Sequence, residues 1–272
     1  MNIQNKIAVV TGGAGGIGSA LCSALAEQGA KVVVSDLSLE AAKTVADKIN
    51  GLAIECDVSS EAAIQNLIST AEAELGPIDL FCSNAGFGVG EPDHAASASN
   101  EVWQKNWELH VMAHVWAARA LLPSMIERQD GYLLNVASAA GLLVQIGDSA
   151  YSATKHAAVS LAESLAITHG EQGIKVSVVC PQYVNTNILG VSDEQRRGKM
   201  QGVITPEECA ASIVRGIENE TFMILTHEEV REFYQKRAMD PSRWIDGMRR
   251  YRSSVLDKHG RVDFRRIFGI KT

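Results

Sequence analysis

The sequence predicts an α/β fold in which a doubly wound, seven-stranded parallel sheet carries helices on both faces. Three observations predict it: seven short runs rich in Val, Ile and Leu recur along the 272 residues, amphipathic helical stretches lie between them, and each run is apolar throughout. A half-exposed strand alternates apolar with polar residues, whereas a strand covered on both sides does not. No linker-like stretch, low-complexity segment or repeat beyond the βα alternation divides the chain, so residues 1–272 are expected to form a single domain.

The strands are expected at about 7–11, 31–36, 52–57, 80–84, 131–137, 175–180 and 222–225, and the helices at about 16–28, 39–49, 61–75, 101–128, 149–169 and 206–219. The last helix has the clearest start, because Thr205, Pro206, Glu207 and Glu208 supply a capping box with Pro at the first helical position. Residues 182–202 break the alternation, being polar and without strong periodicity, and are expected to form a flap over a site. A helical extension is expected over 227–272.

Composition narrows the function. With 25 basic and 32 acidic residues the net charge is -7, which argues against general affinity for nucleic acid or anionic membranes. The charge is uneven, since residues 231–272 hold twelve Lys and Arg against five acids. Three readings of that stretch stay open: a solvated helical surface, a basic tail packed on an acidic part of a neighbouring subunit, or a contact to a phosphorylated or carboxylated substrate. The five cysteines show neither CxxC nor Cys/His spacing, so no disulfide framework and no metal site are suggested, and a reducing cytoplasm is the expected location. The N-terminus lacks a signal-like apolar region, and no apolar stretch approaches the ~18 residues of a membrane span.

After the first strand comes Thr11-Gly12-Gly13-Ala14-Gly15-Gly16-Ile17-Gly18, leading into a helix. Glycines there permit a tight turn and let backbone amides approach a pyrophosphate, whose charge the helix N-terminus favours. Asp36 closes the second strand, followed by Leu37. A carboxylate in that place accepts hydrogen bonds from ribose hydroxyls and repels a 2′-phosphate, so NAD is the expected cofactor. The bland reading of Asp36 is a turn or cap residue.

Tyr151 and Lys155 stand four apart on a helix and share a face. A Tyr with its ordinary pKa of about 10 needs a nearby cation to reach the phenolate easily, and Lys155 is placed to provide one. The run 132–137 delivers Ser138 to the carboxyl edge of the sheet, where open α/β folds bind ligands. Ser138 is there positioned to donate to a carbonyl oxygen; its bland alternative is a capping hydroxyl.

With these motifs in order, the sequence resembles the short-chain dehydrogenase/reductase family in its single-domain branch, over residues 6–225. The resemblance rests on Thr11, Gly12, Gly16 and Gly18 of the turn, Asp57 with Val58, Ser83-Asn84-Ala85-Gly86, Ser138, Tyr151 with Lys155, and Pro181 with Thr186. It implies a Rossmann-type fold and hydride transfer between NAD and a secondary alcohol or ketone. Tyr151 would be the general acid/base, Ser138 would polarise the substrate oxygen, and Lys155 would bind the nicotinamide ribose while lowering the Tyr151 pKa. Gly12, Gly15, Gly16, Ile17, Gly18, Asp36, Leu37, Asp57, Val58, Asn84, Ala85, Gly86, Tyr151, Lys155, Pro181, Val184 and Thr186 would hold the cofactor. The resemblance further implies a homo-oligomer, a dimer or tetramer of two-fold symmetry.

There are departures. His110 stands where the family has an Asn that holds a relay water, so His110 is a candidate catalytic residue, with pH sensitivity near an ordinary pKa of about 6.5; a structural histidine is the other reading. Gln182 replaces the usual Gly after Pro181. The pocket lining is expected from 139–148, 183–189 and 87–94, with Ser138, Leu143 and Tyr183 as substrate contacts. Its apolar character points to a hydrophobic or cyclic alcohol. Trp244, Met248 and Tyr251 are candidates for closing the pocket, sealing an interface or packing in the core. Two other functions fit: an NAD-binding regulatory or scaffold protein with vestigial catalytic residues, and an epimerase or dehydratase, which the short chain beyond Leu225 disfavours.

Overall fold

Each apolar run becomes a strand of one parallel sheet in the computed structural model, which describes residues 1–91, 93–189, 194 and 200–269. The strands are β1 (Ile7–Thr11), β2 (Lys31–Asp36), β3 (Leu52–Glu55), β4 (Leu80–Ser83), β5 (Gly131–Val136), β6 (Ile174–Val179) and β7 (Met223–Ile224). Their order across the sheet is β3-β2-β1-β4-β5-β6-β7. The chain therefore reverses its winding direction between β1 and β4, and the crevice at their carboxyl ends is where such sheets bind ligands. β7 is shorter than expected because only Met223 and Ile224 find partners, on Val178 and Val179.

Helices α1 (Gly16–Glu27), α2 (Leu39–Ile49), α3 (Glu61–Leu75), α4 (Asn100–Trp107), α5 (Ala113–Glu127), α6 (Ser149–His169) and α7 (Pro206–Glu218) cover the sheet. Successive strand residues feed opposite layers. Val9, Val33, Phe81, Leu133 and Val178 face a core with Leu67 of α3, Leu121 of α5 and Ala162 of α6. Ala8, Val10, Val34, Leu134 and Val179 face a second core with Leu21 and Leu25 of α1 and Ile213 of α7. Both layers being dry explains the unbroken apolar runs.

Local chemistry sets the helix starts. Ser38, Ser60 and Ser99 each cap a helix by accepting a backbone N–H, and Thr205 and Glu208 form the expected reciprocal capping box. The single helix expected over 101–128 is interrupted: residues Glu108–Met112 form a π-helical turn between α4 and α5. Such turns add a residue to a helix and occur mostly at functional sites, and this one carries His110. Beyond the sheet, α8 (Glu229–Met239), α9 (Pro241–Ser254) and the short α10 (Phe264–Ile267) make up the helical extension. Of the expected flap, residues 190–193 and 195–199 lie outside the described residues. No described helix is long and apolar enough to cross a membrane.

His114, on the first turn of α5, is 2% exposed, and burial pushes its pKa down to about 3. Unfolded, it takes up a proton below about pH 6.5; folded, it does not until near pH 3, so its contribution to stability is complete above pH 6.5 and is lost as the pH falls. Urea unfolding between pH 7 and pH 5 is expected to show this group costing up to about 1.4 kcal/mol per pH unit below 6.5. His114→Leu, which keeps the volume, should flatten that limb; an equally steep loss in the variant would count against the assignment.

Candidate active site

The turn after β1 and the N-terminus of α1 form one end of a cleft of about 750 Å3 along the carboxyl edge of the sheet. A side chain at Gly18 would place its Cβ 2.0 Å from the Gly12 carbonyl oxygen, so only glycine lets α1 fold back this tightly. Across the cleft, Thr186 closes on the same turn: a Cβ at Gly16 would lie 2.5 Å from Thr186 Cγ2. Asp36 steadies the turn by accepting the Ala14 N–H at 3.0 Å. Asn84 fastens the end of β4 to it, with Nδ2 donating to the carbonyls of Thr11 (2.9 Å) and Gly12 (3.2 Å). Asp57 accepts from the Ser59 hydroxyl (2.6 Å) and N–H (2.9 Å), and these bonds hold its carboxyl below the ordinary range.

The cleft is lined by nearly all the residues that the sequence singles out. Gly12, Gly15, Gly16, Ile17 and Gly18 line it with Asp36, Leu37, Asp57 and Val58, as do Asn84, Ala85 and Gly86, and Ser138, Tyr151, Lys155, Pro181, Val184 and Thr186, the last of them against Gly16. The wall also includes Phe87, Leu109, Gln182, Ile188 and Leu189.

Tyr151 and Lys155 are placed by the start of α6. Asp148 caps it, Oδ1 accepting the Tyr151 N–H at 3.2 Å, while Oδ2 accepts the Gly90 N–H at 2.9 Å and ties the 87–91 loop to the same point. One turn on, Lys155 is 3% exposed, its ammonium donating to the Val136 carbonyl at 2.9 Å and lying 5.5 Å from the Tyr151 ring centre. Burial lowers the Lys155 pKa to about 7. Burial also raises the Tyr151 phenol to about 12, against a smaller lowering by its hydrogen bond with Ser138. The expectation that Lys155 draws the phenol down is therefore not met in this state, because burial outweighs what lowers the phenol.

His110 is fully buried. Its Nε2 accepts the Phe87 N–H at 3.3 Å, and its Nδ1 lies 3.1 Å from the Thr154 hydroxyl. That hydroxyl lies 3.0 Å from both the Ala150 and Tyr151 carbonyls and gives them its one proton, and Nε2 is already an acceptor, so Nδ1 carries the ring proton and donates to Thr154. The ring meets Tyr151 edge-on at 5.3 Å and Phe87 at 5.3 Å. Burial first, then the Lys155 charge, holds its pKa well below 6.5, so the expected pH sensitivity near the ordinary value is corrected: the ring stays neutral.

The two other expected substrate contacts lie elsewhere. Leu143 packs in the core with Leu142 and Val159, and Tyr183 faces a second cavity of about 330 Å3 with Tyr251. Trp244 packs against Phe233 at 6.2 Å. The sequence reading places Asp148 only within the expected pocket lining and does not single out Thr154, although the two fix the start of α6 and the His110 ring. Asp148, three residues before Tyr151, is legible as a helix cap; Thr154 has no signal until the π-helical turn brings His110 over it.

The model of the short chain dehydrogenase family matches residues 6–197. The chain is 32% identical over 239 residues to 1-deoxy-11-beta-hydroxypentalenate dehydrogenase of Streptomyces exfoliatus, covering 85% of this chain and 86% of that protein. It is 30% identical over 220 residues to meso-2,3-butanediol dehydrogenase of Serratia marcescens, covering 78% and 86%. A short chain dehydrogenase/reductase from Burkholderia phymatum, solved in complex with NAD, superposes with a TM-score of 0.80 at 28% identity over 88% of this chain and 95% of that one. With the motifs, the sheet order and these likenesses in agreement, the chain belongs to the short-chain dehydrogenase family of oxidoreductases.

Proposed function

We propose that this chain transfers a hydride between NAD and a secondary alcohol or its ketone, with Tyr151 as the general acid/base. The observation that carries the reading is that Ser138, Tyr151 and Lys155 line one cleft, with the Lys155 ammonium 5.5 Å from the centre of the phenol ring. The residues present fit a dinucleotide. The turn of Gly12–Gly18 leaves the α1 N-terminus bare toward a pyrophosphate, Asp36 offers a carboxylate to ribose hydroxyls, and the cleft runs unbroken from there to Tyr151. When bound, NAD supplies the hydride acceptor for alcohol oxidation and NADH the donor for ketone reduction.

The protein's own groups handle the proton. Ser138 holds the substrate oxygen by hydrogen bonding, and Tyr151 gives a proton to that oxygen in reduction or takes it in oxidation. A phenol raised to about 12 is protonated at neutral pH and ready to donate. Lys155, anchored on Val136, is placed to bond ribose hydroxyls and return positive charge beside the phenol. His110 acts as a positioning residue, since both of its ring nitrogens are already committed. Phe87, Ile188 and Leu189 give the substrate end an apolar wall, which suits a hydrophobic or cyclic alcohol. The hydroxypentalenate and butanediol dehydrogenases named above are consistent with an alcohol substrate.

Tyr151→Phe is expected to lower kcat for alcohol oxidation by about 10² to 10⁴, read as NADH absorbance over a panel of cyclic and acyclic secondary alcohols, with NADH affinity nearly unchanged. Retained turnover would remove Tyr151 from this role, and NADH binding without turnover of any alcohol by the unmodified chain would favour a regulatory protein. Asp36→Ala should raise the NADP/NAD ratio of kcat/KM by about tenfold or more by removing the charge that opposes a 2′-phosphate; an unchanged ratio would count against the ribose assignment. His110→Phe keeps the ring packing but not the hydrogen bonds, so kcat should fall about tenfold while the pH profile keeps its inflections. Loss of an inflection would identify His110 as a proton carrier instead.

A further inference from the structure

The family model matches residues 6–197, and the chain beyond β7 lies outside that match. After α9 the chain makes a tight hairpin, in which Leu256 bridges Val262 and Asp257 N–H donates to the Arg261 carbonyl at 2.7 Å. The hairpin lands on the substrate side of the molecule: Val262 lies against Gly147, and Arg261 reaches Asp93 at 3.5 Å. The chain then returns to Leu189 and Met200. Phe268 accepts the Gln201 N–H on its carbonyl at 3.1 Å, and its ring, 1% exposed, packs with Leu189 and Met200 and meets Tyr183 edge-on at 5.1 Å.

One aromatic side chain thus touches both described ends of the flap. Leu189 shows its other side to the cleft, next to Ile188. The two ends are also joined to each other, Asn185 N–H donating to the Ile204 carbonyl (2.9 Å) and Ile204 N–H to the Tyr183 carbonyl (3.0 Å). The cluster around Phe268 is separate from the two layers that hold the sheet. Loss of its packing is therefore felt locally, at Leu189, Met200 and Tyr183, before it is felt as unfolding.

We infer that Phe268 is a positioning residue for the substrate: the C-terminal segment is a strap, and its aromatic ring holds the Ile188–Leu189 wall against the alcohol. The inference rests on the dehydrogenase reading above only for the identity of what the wall contacts. Strapping the wall removes conformational freedom before substrate arrives, so the ordering cost does not reduce affinity.

The test compares the full chain with Phe268→Ala and Phe268→Leu by hydrogen exchange and steady-state kinetics. In Phe268→Ala the amides of Asn185, Gln201 and Ile204 should exchange at least about tenfold faster while those of β5 and β6 keep their protection. KM for a secondary alcohol should rise about tenfold with kcat changed less than about threefold, and Phe268→Leu should recover most of both effects. Unchanged exchange at Asn185 and Ile204, equal acceleration throughout the sheet, or accelerated exchange with an unchanged KM would each overturn the inference. If the unmodified chain turns over no alcohol, the proposed reaction fails, and the exchange pattern alone then decides whether Phe268 is the strap.

Discussion

The site depends on the fixed position of α6 against the end of β5, and that position is held by a buried ammonium. Lys155 Nζ rests on the Val136 carbonyl at 2.9 Å, with almost no access to water. An ammonium taken out of water costs several kcal/mol unless it is compensated, and here the cost appears as a pKa drawn down to about 7. Tyr151 is one helical turn back along the same face, so whatever places Lys155 also places the phenol. The Asp148 cap sets the other end: it fixes where α6 begins and, through Gly90, where the 87–91 loop must lie.

That arrangement is electrostatically tense. A buried phenol pushed up to about 12 and a buried amine pushed down to about 7 both favour their neutral forms. Lys155, drawn down to about 7, is the group whose charge responds most readily when charged groups enter the cleft beside it. The neighbouring histidines are handled differently. His110 is pinned at both nitrogens and His114 is buried outright, so neither adds charge beside Lys155 at neutral pH. Any positive charge on His110 would oppose the one on Lys155 across a short gap, and the hydrogen bond from Phe87 to Nε2 requires that nitrogen to be unprotonated.

The sheet was legible because its strands are buried on both sides and therefore read as unbroken apolar runs, and the glycine turn was legible because close backbone approach admits no other residue at Gly18. Ser138, Tyr151 and Lys155 were legible from spacing on a strand end and a helix face. What escaped the sequence was whatever depends on how an element is rotated or continued. The π-helical turn at 108–112 is invisible to a 3.6-residue periodicity, yet it decides that His110 meets Thr154 and Phe87. Leu143 and Tyr183 have the composition of pocket residues, but one points into the core and the other away from the cleft, a distinction set by packing. The sign of the Tyr151 shift escaped for a similar reason: proximity of a lysine is a sequence property, whereas its desolvation is a tertiary one.

The same separation of scales explains why this fold leaves its substrate wall to the end of the chain. Ser138 projects from a strand end and Tyr151 and Lys155 from α6, elements that the two large cores hold in place. The apolar wall at Ile188 and Leu189 belongs to neither core, and its packing is completed by Met200 and Phe268 from either side. Substitutions at Phe268 can reshape the wall at Leu189 without touching the Lys155–Val136 and Asp148–Tyr151 hydrogen bonds, in which neither residue takes part. The residues assigned to chemistry thus sit on the sheet and α6, while the proposed strap acts on the wall from a segment that the sheet does not need.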